Sequence, residues 1–228
     1  METSLHRDLK MLYATEGARF EAPVAGFRID VVAGDRLVEI QHGSLAGIRR
    51  KVRHLLEDHR VVVVKPIVVR KFLVRRARKG GAVVARRTSP KRGRLLDLFD
   101  ELVHFTQVFP HRRLTLDVPL VDVEEWRYPG HGRRRRWRTN DFQVEDQKLL
   151  AVHEVHRFQT ADDLRRLIEC QLPSPFHTGH LAEALGIGRW LAQRIAYCLY
   201  KCGGMRCVGK LGNSRLYEFP ADAARKSA

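Results

Sequence analysis

GFRIDVVAGDRLVEIQ, residues 26–41, decides the fold. Two runs rich in β-branched and apolar residues, 27–32 and 36–41, flank Gly34-Asp35, a two-residue loop of the primed turn types. Such a loop sets Ala33 opposite Arg36, and counting outward sets Asp30 opposite Glu39. Side chains alternate along a strand with a period of two. Phe27, Ile29, Val31, Val38 and Ile40 therefore form a core face, while Arg28, Asp30, Glu39 and Gln41 share the other. Carboxylates facing each other across strands, about 5 Å apart at Cβ, repel unless a cation compensates. A hard divalent ion such as Mg²⁺ suits that pair. Residues 19–24 read as a further strand, and a tight turn at Ala25-Gly26 pairs Val24 with Phe27, bringing Glu21 opposite Asp30. The competing reading is a solvated acidic face on an exposed sheet.

The rest of the chain is strongly basic. Its 228 residues carry a formal charge of +16 and a pI near 10.4, with an ordinary apolar content of 44%. That length supports one or two domains with real cores. The basic excess points to a polyanionic partner, nucleic acid ahead of a membrane surface. No apolar run approaches a membrane span and METSLHRDLK lacks a signal peptide's apolar region, so a cytoplasmic location is expected. Cys170, Cys198, Cys202 and Cys207 are expected to be reduced thiols. A zinc site can be drawn from Cys198, Cys202, His177 and His180, but the spacing matches no strong zinc pattern. No P-loop or dinucleotide-type glycine loop occurs, so nothing supports ATP or NAD chemistry.

Around the hairpin, residues 4–14 read as a helix with Leu5, Leu9 and Leu12 on one stripe, capped by Thr3 or Ser4. Ser44 caps a second helix to about residue 58, with Leu45, Ile48, Val52, Leu55 and Leu56 inward. Residues 61–64 are continuously apolar, as in a strand buried on both faces and parallel to the Glu39 strand. A further hairpin turns at Lys79-Gly80-Gly81, a helix covers 94–105, and long strands cover 114–128 and 142–158. His153 and His156 on the last of these fit no metal or triad pattern and read as structural. After Pro173-Ser174-Pro175 come a helix capped by Thr178, a helix over 189–201 with Trp190, Leu191, Ile195 and Leu199 inward, and a terminal hairpin. That order is the pattern of a winged helix-turn-helix.

RID…EIQ, followed by a helix and a buried strand, resembles the PD-(D/E)XK nuclease superfamily, whose signature is an acid on one strand and Glu-x-Lys on the next. The resemblance implies an α/β fold: a restriction-endonuclease-like mixed sheet with flanking helices over residues 1–110. A β-rich extension would follow at 111–172, a small winged-helix domain at 173–222 and a tail at 223–228. The chain as a whole also resembles an uncharacterised bacterial family through its SLH-type N-terminus, VEIQ strand, SPKRG segment and GKLGN-like hairpin. The superfamily implies a metal-dependent nuclease in which Asp30 and Glu39 bind Mg²⁺ or Mn²⁺, with the Ile40 carbonyl as a third ligand. Gln41 stands at the lysine position and would orient the attacking water. Glu21 would bind a second metal or accept a proton, and Lys65 or Lys51 would supply the missing cation. Glu2 matches the place of an additional helix acid. The alternative keeps the fold and drops the chemistry, leaving a catalytically inactive DNA-binding or regulatory protein.

Nucleic-acid contacts are expected from three basic clusters and the terminal module. Arg133, Arg134, Arg135, Arg136 and Arg138 suit backbone phosphates, with Trp137 stacking on a base. Arg70, Lys71, Arg75, Arg76, Arg78 and Lys79 form a second cluster, and Arg86, Arg87, Lys91, Arg92 and Arg94 a third. In the terminal module Arg189, Gln193, Arg194 and Lys201 would lie on a recognition helix, with Lys210, Asn213 and Arg215 on the wing. DNA is the expected partner, with RNA left open and a homodimer favoured if both strands are cut.

Overall fold

A computed structural model describes residues 3–130, 141–168 and 170–220. It is an α/β structure with a large mixed sheet and flanking helices. Chain contacts divide it into two interleaved compact units. The first comprises residues 1–42, 62–95 and 117–156, and the second 43–61, 96–116 and 157–228.

The first unit opens with α1 (Ser4–Tyr13), where Thr3 accepts the His6 amide as an N-cap. The meander follows as β1 (Arg19–Val24), β2 (Phe27–Ala33) and β3 (Arg36–Ile40). Both turns have the expected pairing, Val24 with Phe27 and Ala33 with Arg36. Ala25 and Gly26 take φ of 49° and 78°, a type I′ geometry, whereas at the second turn only Gly34 is left-handed, at 60°. Next in this sheet come β4 (Arg60–Val64), β5 (Ile67–Arg76), β6 (Val83–Thr88), β7 (Leu114–Pro129) and β8 (Phe142–Phe158). The order is β1-β2-β3-β4-β7-β5-β6, with β8 paired to β7.

The alternation of strand residues builds the core. Val31, Ala33, Val38, Ile40, Val62, Val64, Val121 and Val123 form one buried cluster with Leu5 and Leu9 of α1. The Gln41 amide donates to the Val64 carbonyl, so β3 and β4 end together, the parallel arrangement expected for the buried strand. Val61 and Lys65 donate to the carbonyls of Arg113 and Asp117, in ascending order, so β7 is also parallel to β4. α1 departs from expectation in its register. Leu12 is 57% exposed and Lys10 only 4%, because the inward stripe runs from Leu5 through Leu9 toward Tyr13. The Ser4 amide and hydroxyl tie the start of α1 to Asp146 of β8.

The second unit holds α2 (Arg49–Leu55), α3 (Leu98–Leu102), α4 (Ala161–Arg165), α5 (Thr178–Ala184), α6 (Arg189–Cys202) and the hairpin β9 (Arg206–Leu211) and β10 (Ser214–Glu218). The expected helix from Ser44 is split. Ser44 caps a 3₁₀ turn at Leu45–Gly47, and regular α-helix begins only at Arg49, after the glycine. α5 is capped by His177 rather than Thr178, with the His177 side chain accepting the Gly179 and His180 amides. α6 buries Leu191, Ile195, Cys198, Leu199 and Cys202 but leaves Trp190 56% exposed, against its expected place in the core. Trp190 lies off that stripe and carries the Arg194 guanidinium at 4.3 Å. Among the described residues no helix is long and apolar enough to cross a membrane.

Candidate active site

The predicted hairpin register holds as far as Val31 opposite Val38. Beyond it the Ile40 amide donates to Asp30 Oδ2 at 2.8 Å, so the Asp30 carboxylate takes a backbone donor beside the ladder. β1 pairs with β2 on either side of Asp30, at Phe20–Val31 and Ala22–Ile29, which sets Glu21 across from it as expected. Glu21 itself adopts a left-handed φ of 52°. A non-glycine residue held there marks a place that its surroundings over-determine, and such places gather at functional sites.

Bases from α1 complete the cluster. His6 Nε2 lies 3.2 Å from Asp30 Oδ1. The buried Lys10 ammonium contacts Glu21 and lies 3.7 Å from the same Asp30 oxygen. Arg28 pairs with Glu21 from the solvent side. Burial works to raise the Asp30 pKa, but the His6 hydrogen bond, the Ile40 amide and the charges of His6 and Lys10 outweigh it and hold the carboxyl below its usual range.

The other predicted residues lie around the end of β3. Glu39 is buried, 4% exposed, on the strand neighbouring Asp30. Lys65 is equally inaccessible and donates from Nζ to the His42 carbonyl at 3.0 Å. The His42 ring lies 5.5 Å from that of His6. Burial first, then the charges of His6 and Lys65, drive its pKa down to about 4, so the imidazole is neutral at physiological pH. Its Nε2 is buried with no hydrogen-bond partner among the described residues. Lys51, the other cation considered, lies on α2 in the second unit. Glu2 lies outside the described residues.

The donor set fits a divalent ion. His6, Glu21 and Asp30 each present a ligand atom, and the three lie within 4.8 Å of one another. Two carboxylate oxygens suit Mg²⁺ or Mn²⁺, and the imidazole moves the preference toward Mn²⁺. The structure thus gathers Asp30 with Glu21 rather than with Glu39 in that trio. His6, Lys10 and His42 were not read from the sequence as site residues. The available signal was spacing: His6 and Lys10 each follow an inward leucine, Leu5 and Leu9, and so form a second stripe beside the apolar one.

The expected nucleic-acid contacts fall in several places. Arg133, Arg134, Arg135, Arg136 and Trp137 lie outside the described residues. In the second unit Arg189, Lys210 and Arg215 are exposed. Arg194 is engaged within that unit, donating to the Asp100 carbonyl at 3.1 Å. No zinc cluster involving the cysteines occurs among the described residues. Cys198 and Cys202 lie against the Phe99 and Phe109 carbonyls, and burial raises both thiols, Cys202 to about 12. His153 is held by Asp122 at 3.0 Å.

Residues 3–159, a span that includes the whole cluster, match a family described as Domain of unknown function (DUF8091). The chain belongs to this family. DUF8091 therefore covers α1 and all eight strands of the large sheet, while α5, α6 and the terminal hairpin lie beyond the matched span. A Treponema pallidum (strain Nichols) protein described as uncharacterized is 30% identical over 225 residues, covering 97% of this chain and 87% of its own length. No solved structure matches.

Proposed function

We propose that this protein is a metal-dependent nuclease that hydrolyses phosphodiester bonds in DNA. In this reading the large sheet is a restriction-endonuclease-like domain and the segment from α5 to β10 a winged helix-turn-helix. One observation carries the proposal. Asp30, where the β2–β3 hairpin departs from its ladder, gathers Glu21 and His6 into ligand reach. It does so on the order hairpin, helical segment, parallel strand that the nuclease superfamily uses.

Asp30, with Glu39 or Glu21 and the Ile40 carbonyl, would hold Mg²⁺ or Mn²⁺. A bound ion of this kind lowers the pKa of water and offsets phosphate charge. Gln41 carries no charge of its own and orients water through its amide. Lys10 keeps a buried ammonium beside Asp30 and Glu21, so positive charge is present where the motif lysine is missing. Lys65 fixes the backbone after β3 through the His42 carbonyl. His42, neutral, lies beside Asp30, His6 and Lys65 behind the proposed metal position.

The test is cleavage of linear and supercoiled DNA by purified protein with Mg²⁺ or Mn²⁺. Asp30→Ala and Glu39→Ala are each expected to lower the rate at least ~100-fold, the scale of removing one preorganised charged group. Cleavage that survives both changes would remove this site from the chemistry. The second reading, a DNA-binding relative without turnover, is favoured by one observation: His6 and Lys10 already compensate Asp30. It predicts salt-dependent DNA binding and no cleavage under either ion.

A further inference from the structure

The far side of the large sheet presents a different arrangement of charge. Most basic side chains of β5–β7 have a carboxylate partner. Arg70 pairs with Asp122 at 2.9 Å, Lys71 with Glu125 at 2.7 Å, Arg76 with Glu145 at 3.4 Å and Arg86 with Glu124 at 3.7 Å. Arg127 also contacts Glu125. Arg75 and Arg87 are exposed and have no carboxylate within ion-pair distance among the described residues. Both line the same pocket, a cavity of about 350 Å³ among β5, β6, the end of β7 and the start of β8.

The rest of the lining combines apolar and aromatic residues with Arg127 and the Asp141 carboxylate, so the pocket holds three guanidinium groups against one acid. Phe142 carries the Arg127 guanidinium over its ring at 3.8 Å, a stacked pair that extends the planar surface. Tyr128 is oriented by its hydroxyl, which donates to Gln143 at 2.5 Å. Leu73 lies in the floor. Strand register sets Arg75 opposite Arg127 and Leu73 opposite Arg87, which brings the two unpartnered cations to the same pocket. Two guanidiniums fit a phosphate, and an aromatic surface beside them fits a base whose face is free.

We propose that this pocket binds one nucleotide of a single-stranded nucleic acid, its phosphate on Arg75 and Arg87 and its base against Phe142 and Tyr128. A duplex buries its base faces in the stack and can use only the phosphate half of the pocket. The inference rests on the nucleic-acid part of the function proposed above and is independent of hydrolysis. Four strand spacings separate β2 from β5, roughly 19 Å at 4.8 Å each. That is about six stacked nucleotides at 3.4 Å, so a strand seated in the pocket must be at least that long to reach Asp30.

The experiment measures anisotropy of fluorescein-labelled oligothymidylate about ten nucleotides long, within the range of single-strand site sizes, against a blunt duplex of equal length. EDTA is present, so binding is read apart from any cleavage. Arg75→Ala/Arg87→Ala is expected to weaken the single strand roughly tenfold or more and the duplex much less. Phe142→Leu is expected to weaken the single strand at least roughly fivefold and leave the duplex unchanged. Arg75→Lys/Arg87→Lys keeps the charge and restores most of the affinity. Equal losses for both nucleic acids, or no loss for either, would overturn the proposal. Absence of cleavage by the unmodified protein with Mg²⁺ or Mn²⁺ would end the hydrolytic reading and leave the binding pattern in EDTA standing, so loss of that reading and loss of the pocket are told apart.

Discussion

Two clusters of acids and bases occupy the first unit, and they solve the same electrostatic problem differently. On β5, β7 and β8 the buried Asp122 and Glu125 meet Arg70, His153, Lys71, Gln147 and Arg127 across strands. Burial pushes both acids up, and these partners more than reverse it. The backbone there has no left-handed residue, although the β5–β7 register shifts between Val68 and Arg70. On β1–β3, Asp30 is compensated too, but with Glu21 held left-handed, a ladder amide drawn onto a side chain and a neutral imidazole nitrogen left over at His42. A cluster whose buried acids are each met by cations across the strands, with no left-handed residue, is a structural device. One that keeps strain and an unused nitrogen has been shaped by something other than stability.

The sharpest way to break this contrast is to remove one acid from each cluster. Glu125→Ala is expected to destabilise the protein by about 3 kcal/mol, the lower end for breaking a buried pair, because Lys71 and Arg127 keep some access to water. Asp30→Asn keeps the shape and an acceptor for the Ile40 amide, so it is expected to cost about 1 kcal/mol or less while abolishing cleavage. Urea denaturation of both variants, alongside the cleavage assay, checks the pair. Equal destabilisation by the two changes would make the β1–β3 cluster another structural one.

Much of this site is written in local sequence, and the remainder is not. The opposition of Glu21 and Asp30 follows from two-residue turns at Ala25-Gly26 and Gly34-Asp35 and from a period of two, all within 23 residues of chain. The parallel β4 follows from its unbroken apolar run. Lys10 was missed because a three-leucine stripe through Leu12 turns it outward. The actual helix rotates so that Tyr13 closes the stripe, and a carboxylate pair from β1 and β2 draws the ammonium in. Nothing within α1 encodes that attraction. Trp190 was misplaced for a similar reason: hydrophobicity alone sends an indole inward, whereas a cation one turn later, Arg194, gives it a partner at the surface.

Acid titration separates the clusters by the pH at which each begins to cost stability. Asp122, Glu125 and Asp30 have pKa values lowered by folding, so their contributions are complete above about pH 5 and fade as pH falls through the lowered values. His42 acts earlier. Its pKa falls from 6.5 to about 4 on folding, so between those values the unfolded chain binds a proton that the folded chain does not. Stability is therefore expected to decline from about pH 6.5 downward, well before the carboxylates titrate. His42→Gln removes that early decline and leaves the later one. A denaturation midpoint that stays flat from pH 6.5 to 4.5 in the unmodified protein would mean that the imidazole is already satisfied, and the asymmetry between the clusters would shrink.

The smallest effect tests the strain itself. Glu21→Ala and Glu21→Gly both delete the carboxylate that Lys10 and Arg28 share, so the loss of those contacts is common to the two variants. What differs is the cost of a β-carbon at φ 52°, on the order of 1 kcal/mol. Glycine also gains entropy in the unfolded chain, which offsets part of the advantage. The glycine variant is still expected to be the more stable of the two, by about 0.5–1 kcal/mol in paired urea melts. The same exchange at Glu124, on β7 with no left-handed φ, is expected to go the other way, since glycine weakens a strand. Matching signs at the two positions would show that the left-handed turn at Glu21 carries no strain.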